Sequence, residues 1–275
     1  MRANAQGGQQ TMRIINRFLF VLTLGVIAAT QLVHAASSKT VTLVYEPIHN
    51  PPQALGRGTA IDWSKPGLTL ELLRLVGKQL GVDFQFKRVP WKRGLYLVKK
   101  NQVDGIFHAS YKEKREKVGG YPKREGAVDP QRSIFFQSYV LYTLKSSTVD
   151  FDGTEVVGID GDIGVMSGYS IAEKLEKMGL SIDPSPTQEM NFSRLSSGKI
   201  EAFATLENMA DDFLSRNNDH FTSVRKVKTP LVHKPYYLLF SHQFIEHNPD
   251  LSEQIWDTIA ALSHSVEFKE IISKY

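Results

Sequence analysis

Ser110 and Arg115 are the side chains whose type and spacing best fit small-molecule chemistry. They lie in the stretch Val103 to Pro122, VDGIFHASYKEKREKVGGYP. The apolar run Val103 to Phe107 is short enough for a buried strand. His108 to Tyr111 then reads as a loop leaving its carboxyl end, and Lys112 to Val118 as a short helix stopped by Gly119-Gly120 and Pro122. In open α/β sheets ligands sit outside the carboxyl ends of strands. Arg115 offers a planar fork of donors that matches a carboxylate. Spacing alone leaves a second reading open, in which Arg115 is one solvated charge in the run Lys112 to Lys117.

Other candidates fall at similar places. Glu46 and His49 follow the first expected strand, and Trp91 follows the second. Ser170 opens an expected helix, where free backbone N–H groups favour an anion. Each has a plain alternative: a solvated acid for Glu46, a core aromatic for Trp91, a helix cap for Ser170. Sets that would do covalent chemistry are missing. Gly164 to Gly168 reads GVMSG, with its serine one place late for a nucleophile elbow. Ser196-Ser197-Gly198-Lys199 reads as a helix stop. There is no P-loop, no Gly-x-Gly-x-x-Gly and no paired-histidine spacing among the eight histidines. Asp150, Asp152, Asp160 and Asp162 lie near glycines and read as turn residues. The expectation is therefore no enzyme activity, no cofactor and no metal site.

Composition agrees with a globular chain of two modest domains: 275 residues, 41% hydrophobic and 23% charged. The absence of cysteine excludes disulfides, thiolate metal sites and a lipidated cysteine. The net charge of +4 owes three arginines to residues 1–35, which hold no acid. The rest is close to neutral, so the charge is no argument for nucleic acid. Arg13 and Arg17 precede the apolar or small run Phe18 to Thr30, and Val33-His34-Ala35 follows. The run is shorter than the roughly 20 residues a membrane span needs. It reads as a secretory signal cleaved after Ala35, with Met12 as an alternative start.

The elements that must carry these residues alternate. Thr40 to Tyr45 is a β-branched strand and Leu68 to Leu80 a helix stopped by Gly81. Val82 to Val89 is a strand, Lys92 to Lys100 a helix, and Val103 to Phe107 the third strand. This β-α-β-α-β order predicts a parallel sheet. Gly119 to Ser133 is a polar excursion. Ile134 to Leu144 is β-prone, followed by a strand at Asp162 to Met166, a helix at Ile171 to Met178, a strand at Ser181 to Pro186, a helix at Glu189 to Ser196 and a strand at Ile200 to Ala204. LVKKNQVDGIF and LSSGKIEAFA share a layout of helix end, polar turn and strand with an early acid. Two such units point to two similar lobes. Tyr139 to Leu144 and Pro235 to Phe240 read as paired crossing strands, hinged near Thr143 and Lys234. Helices at Asp250 to Leu262 and Phe268 to Lys274 close the chain.

These pieces resemble the family 3 periplasmic solute-binding proteins, the polar amino-acid receptors of ABC importers. The likeness rests on the helix Gly94 to Lys100, the turn Asn101-Gln102, the VDGIF strand, Ser110 and Arg115. It implies a type II, Venus-flytrap α/β fold of two lobes, each a mostly parallel sheet flanked by helices and joined by two crossing strands. It places residues 36–143 and 235–275 in the first lobe and 144–234 in the second. It also implies that Ser110 and Arg115 hold a ligand carboxylate, with Glu46, His49, Trp91 and Ser170 in the cleft. The sequence departs from the family where an aspartate usually grips the ligand's amino group. Leu206 stands there, with Glu207 one place on as the available acid. The resemblance implies a monomeric periplasmic receptor that delivers a small amino-acid-like or carboxylate solute to an ABC permease in the inner membrane. The alternatives are a sensing subunit for a receptor kinase and, third, a periplasmic enzyme on this fold.

Overall fold

The computed structural model describes residues 39–275. The expected signal over 1–35 lies outside the described residues. The chain opens with β1 (Lys39–Tyr45), α1 (Leu68–Leu80), β2 (Val82–Arg88), α2 (Trp91–Lys99) and β3 (Gly105–Ser110). A 3-10 turn at Glu113–Lys117 and a hairpin of β4 (Lys123–Arg124) and β5 (Ala127–Val128) lead to the long strand β6 (Phe135–Leu144). A second small hairpin, β7 (Asp150–Phe151) and β8 (Val156–Val157), precedes β9 (Ile163–Met166), α3 (Ile171–Lys177), β10 (Ile182–Ser185), α4 (Gln188–Ser196), β11 (Ala202–Leu206) and α5 (Glu207–Arg216). The chain returns through β12 (Val224–Lys226) and β13 (Val232–Phe240), then ends with α6 (His242–His247), α7 (Pro249–Ser263) and α8 (Val266–Ile272).

Among the described residues nine strands form one sheet in the order β10-β9-β11-β6-β13-β3-β1-β2, with β12 also on β6. Each end is parallel: β1 pairs with β2 and β3, and β9 with β10 and β11. The middle is antiparallel, where β6 and β13 cross. This is the two-lobed α/β architecture that the sequence predicts. The crossing differs in register from expectation. β6 and β13 pair from Tyr139–Val232 to Phe135–Tyr236. The halves Tyr139–Leu144 and Tyr237–Phe240 instead diverge to β11 and β3. Thr143 lies inside a ladder, opposite both Ala202 and Arg225, which moves the crossing away from it.

Two strands begin later than the apolar runs imply, for one shared reason. Asp104 and Glu201 each sit immediately before a strand and spend their carboxylates on backbone N–H groups. Asp104 Oδ2 accepts from Thr42 N (2.7 Å) and Glu201 Oε2 from Asp160 N (3.0 Å). The echo between the two segments is thus a repeated way of starting a strand. At the other end, His108 to Ser110 is strand rather than loop, because β13 pairs with it as far as Ser110–Tyr236. His108 takes φ 65°, and the register with β13 shifts between Tyr237 and Leu239.

The core is divided across the crossing strands. α1 buries Leu70, Leu72, Leu73 and Val76 against β1 and α7, where Trp256 donates its indole N–H to Leu238 O (2.8 Å). On the other side Phe192 of α4 stacks on Phe213 (5.2 Å) and meets Phe203 edge-on (5.1 Å). Each fully buried side chain of this size contributes about 1.5–3 kcal/mol. Gly119 is needed at the chain's return, since a Cβ there would stand 2.2 Å from Phe240 O. Among the described residues no helix is long and apolar enough to cross a membrane, and no group of three His, Asp or Glu could hold a metal ion.

Candidate functional site

The strand ends converge on one cavity. β1 delivers Glu46, whose following loop is pinned by Arg88 at the end of β2. The Arg88 guanidinium is buried, donates to Gly56 O (2.7 Å), Ala60 O (3.2 Å) and Ile48 O (3.4 Å), and lies 5.2 Å over the Tyr45 ring. Pro90 ends β2's extension and starts α2 at Trp91. β3 ends at Ser110, and the following 3-10 turn brings Arg115 back beneath it. From the opposite side, Gly168 makes a left-handed turn (φ 83°) that sets Tyr169 and Ser170 before α3. The Ser170 hydroxyl makes no cap bond. It faces the cavity instead and accepts from Ser110 Oγ (3.0 Å) and Lys234 Nζ (2.5 Å).

Arg115 is 6% exposed, and its guanidinium lies 5.1 Å over the Trp91 ring. It donates to Ser110 O (2.7 Å), Ser110 Oγ (3.3 Å) and Gly168 O (3.3 Å). Among the described residues no carboxylate lies within ion-pair distance of it. All its hydrogen-bond partners are neutral oxygens, so the buried cation has no contact ion pair, and Glu46 acts on it only at longer range. Tyr121 also donates to Ser110 O (2.8 Å), which fixes the strand end from behind.

Glu46 is the one acid on the cavity wall among the described residues. Burial pushes its carboxyl up to about 7, although the Tyr169 hydroxyl donating at 2.8 Å and the charge of Arg115 both pull it down. His108 is lowered to about 3 by burial and shares a hydrogen bond with Thr69 Oγ1 (3.0 Å). Lys234 is lowered to about 7 by burial first, then by Arg115, Lys112 and Lys174. His108 is therefore neutral in the fold, and Lys234 is disfavoured as a cation by the basic groups Arg115, Lys112 and Lys174 that crowd it. The other walls are apolar or aromatic: Ile48, Ala54, Tyr139, Leu206, Met209 and Tyr236. The enclosed free volume is about 30 Å³, room for only a water or two. Trp91 Nε1 and Gln137 Oε1 are buried at this wall with no hydrogen-bond partner. Such groups are costly unless something supplies the missing bond.

The family model of bacterial extracellular solute-binding proteins, family 3, matches residues 62–275. The chain belongs to this family. No curated protein matches it. Among solved structures this family member is similar to an ancestral arginine-binding protein bound to glutamine, with TM-score 0.64, 17% identity and coverage of 86% of this chain and 97% of that one. It is also similar to the arginine-, lysine-, histidine-binding protein ArtJ from Geobacillus stearothermophilus, with TM-score 0.66, 18% identity and coverage of 86% and 95%. A histidine kinase sensor domain with similarity to periplasmic binding proteins gives TM-score 0.67, 16% identity and coverage of 86% and 96%. At these identities the likenesses show the fold.

In this family 3 protein, Glu46, Trp91, Ser110, Arg115 and Ser170 come together on the cavity wall. His49 and Glu207 do not line it. His49 Nδ1 accepts from Gly56 N (3.0 Å) and Nε2 faces Asp212 Oδ1 at 3.5 Å. Glu207 begins α5, and its carboxylate takes Lys226 Nζ at 2.8 Å. Sequence reasoning missed Asn50, His108, Gln137, Tyr139, Tyr169 and Tyr236 on the wall. Gln137 carried a signal: it is the lone amide in the β-prone run IFFQSYVLYTL, and it is 2% exposed.

Proposed function

We propose that the protein captures a small polar solute, an amino acid or related carboxylate, in the cleft between its lobes and delivers it to an ABC importer from the periplasm. In this reading one lobe is built on β1–β3 with the C-terminal helices and the other on β9–β11, joined through the crossing pairs of β6 and β13 rather than near Thr143. The observation that carries the reading is Arg115: a buried guanidinium beside two serine hydroxyls, with no carboxylate of its own among the described residues. A ligand carboxylate supplies the counter-ion, and Trp91 and the tyrosines pack its body. Nothing covalent is required of the site. A ligand-sensing subunit is the alternative, and it shares this capture step while differing in the membrane partner.

A thermal-shift screen over amino acids and small organic acids tests the reading, followed by calorimetry on the best ligand. Arg115→Ala should weaken binding by about 2–5 kcal/mol, the cost of truncating one partner of a buried charge pair. Arg115→Lys, which retains the charge without the fork, covers the case of a poorly folded alanine variant and should also bind more weakly. Lys114→Ala, in the same turn but exposed, should change little. Equal losses at positions 114 and 115 would remove Arg115 from the site. Co-purification with permease or kinase components separates import from sensing.

A further inference from the structure

Ser170 lines two spaces at once. One is the inner cavity; the other is an open groove of about 500 Å³. That groove is bounded by Lys112 from the segment after β3, Lys174 and Lys177 from α3, and Lys234 from β13. Its acids are Glu113 and Glu173. Glu173 is shared between Lys112 (3.5 Å) and Lys177 (3.3 Å). Lys234 is different. Its ammonium donates to Ser170 Oγ (2.5 Å), sits 5.0 Å over the Tyr139 ring, and has no carboxylate within ion-pair distance among the described residues.

Two basic groups therefore stand at the ends of one polar chain. Arg115 reaches Ser110 Oγ at 3.3 Å, Ser110 donates to Ser170 at 3.0 Å, and Lys234 donates to the same Ser170 oxygen. A single carboxylate seated at Arg115 satisfies one end and leaves Lys234 without the anion that would let it hold its proton. Withdrawing a cation from water without a partner is costly, and like charges in series add to the cost. Lys234 also lies on a crossing strand, so its position is fixed by the β6–β13 ladder, opposite Gln137.

We propose that the groove beside Ser170 is a second anion subsite centred on Lys234, and that the captured solute carries two separated anionic groups. The inference rests on the capture reading of Arg115. The ligand class is a short dicarboxylate or a carboxylate bearing a phosphate. The solute runs past Ser170, with one group on Arg115 and the other among Lys234, Lys174 and Lys112. The ionisable groups facing Lys234 are Arg115, Lys112, Lys174 and Glu173, with Tyr139 beneath it. Lowered to about 7, Lys234 takes up a proton when an anion arrives.

Calorimetry on the chain without its leader compares matched pairs: butyrate with succinate, and valerate with glutarate. The phosphate arm compares glycolate with 2-phosphoglycolate, with inorganic phosphate as the control for a single anion. The dianion should bind at least about tenfold tighter than its monoanion, a difference of about 1.4 kcal/mol. Lys234→Gln should abolish that preference while its thermal melt shows a folded protein. Repeating the titration at mildly alkaline pH in two buffers of different ionisation enthalpy should reveal proton uptake that Lys234→Gln loses. Equal binding of both pair members, a preference that survives Lys234→Gln, or no response to any dicarboxylate from malonate to adipate and none to 2-phosphoglycolate overturns the subsite. If Arg115→Ala abolishes binding of the best ligand but Lys234→Gln does nothing, the subsite fails and the capture reading stands. If neither variant matters, both fall.

Discussion

Replacing Glu46 by Gln should make the protein more stable at neutral pH and leave it unchanged in acid. In the unfolded chain this carboxyl titrates near 4.5; in the fold, burial holds it at about 7. The folded state thus binds its proton more tightly than the unfolded state. Stability from this group is full below pH 4.5, falls as pH rises towards 7, and is flat above that. A displacement of this size corresponds to about 3 kcal/mol at 1.36 kcal/mol for each pH unit. Glu46 keeps partial solvent contact, so about 1–3 kcal/mol is the range to measure. Glutamine keeps an oxygen for the Tyr169 hydroxyl and never ionises, so it escapes the penalty. At about 2–4 °C for each kcal/mol in a chain of this size, the melting temperature of Glu46→Gln should exceed the parent's by several degrees at pH 8. Denaturant melts of both proteins at a series of pH values give the increment directly. An increment independent of pH, or one that grows towards acid, would refute the argument.

Three further outcomes follow from the packing. Arg88→Met should cost about 2–4 kcal/mol, because three backbone carbonyls of the Glu46 loop lose a charged donor; limited proteolysis between residues 47 and 60 should quicken, and an unchanged cleavage rate would show that the loop is held by something else. Gly119→Ala should cost about 1–3 kcal/mol, since its Cβ would be driven into Phe240 O and break the Gly120–Phe240 bridge; a melt equal to the parent's would count against that contact. Small-angle scattering should show the protein compacting on addition of a ligand found by thermal shift, with the change abolished in Arg115→Ala; identical profiles with and without that ligand would sink the closure.

Much of the fold was legible because its periods are clean. The bounds of α1 match expectation at both ends, since its apolar residues recur at helical spacing and Gly81 takes the left-handed turn that ends it. Ser110 and Arg115 could be singled out because strand-end loops are where sheets of this kind expose donors. What escaped has a physical reason. α5 reads ENMADDFLSR, with only Met209, Ala210 and Phe213 buried, so its apolar signal is thin. Gln137, Tyr139, Tyr236 and Lys234 lie on crossing strands, and which of their faces looks into the cavity depends on a register set between segments about a hundred residues apart. Leu206 was readable as a departure from the family pattern, and the structure places it on the cavity wall. The neighbouring acid, Glu207, turns outward to Lys226 because it already belongs to the helix.

The way β6 and β13 cross has a mechanical consequence. A ribbon of two hydrogen-bonded strands flexes out of its plane at little cost, because bending tilts the ladder bonds without breaking them. Sliding is another matter: a slip of one residue would break the five pairs from Tyr139–Val232 to Phe135–Tyr236 and turn every side chain to the wrong face. Such a joint behaves as a leaf spring, stiff to shear and soft to one rotation. A change in the angle between the two halves is then the motion this joint resists least. In the capture function proposed above, a partner that touches both halves needs only to gauge the angle between them to know whether the cleft is filled.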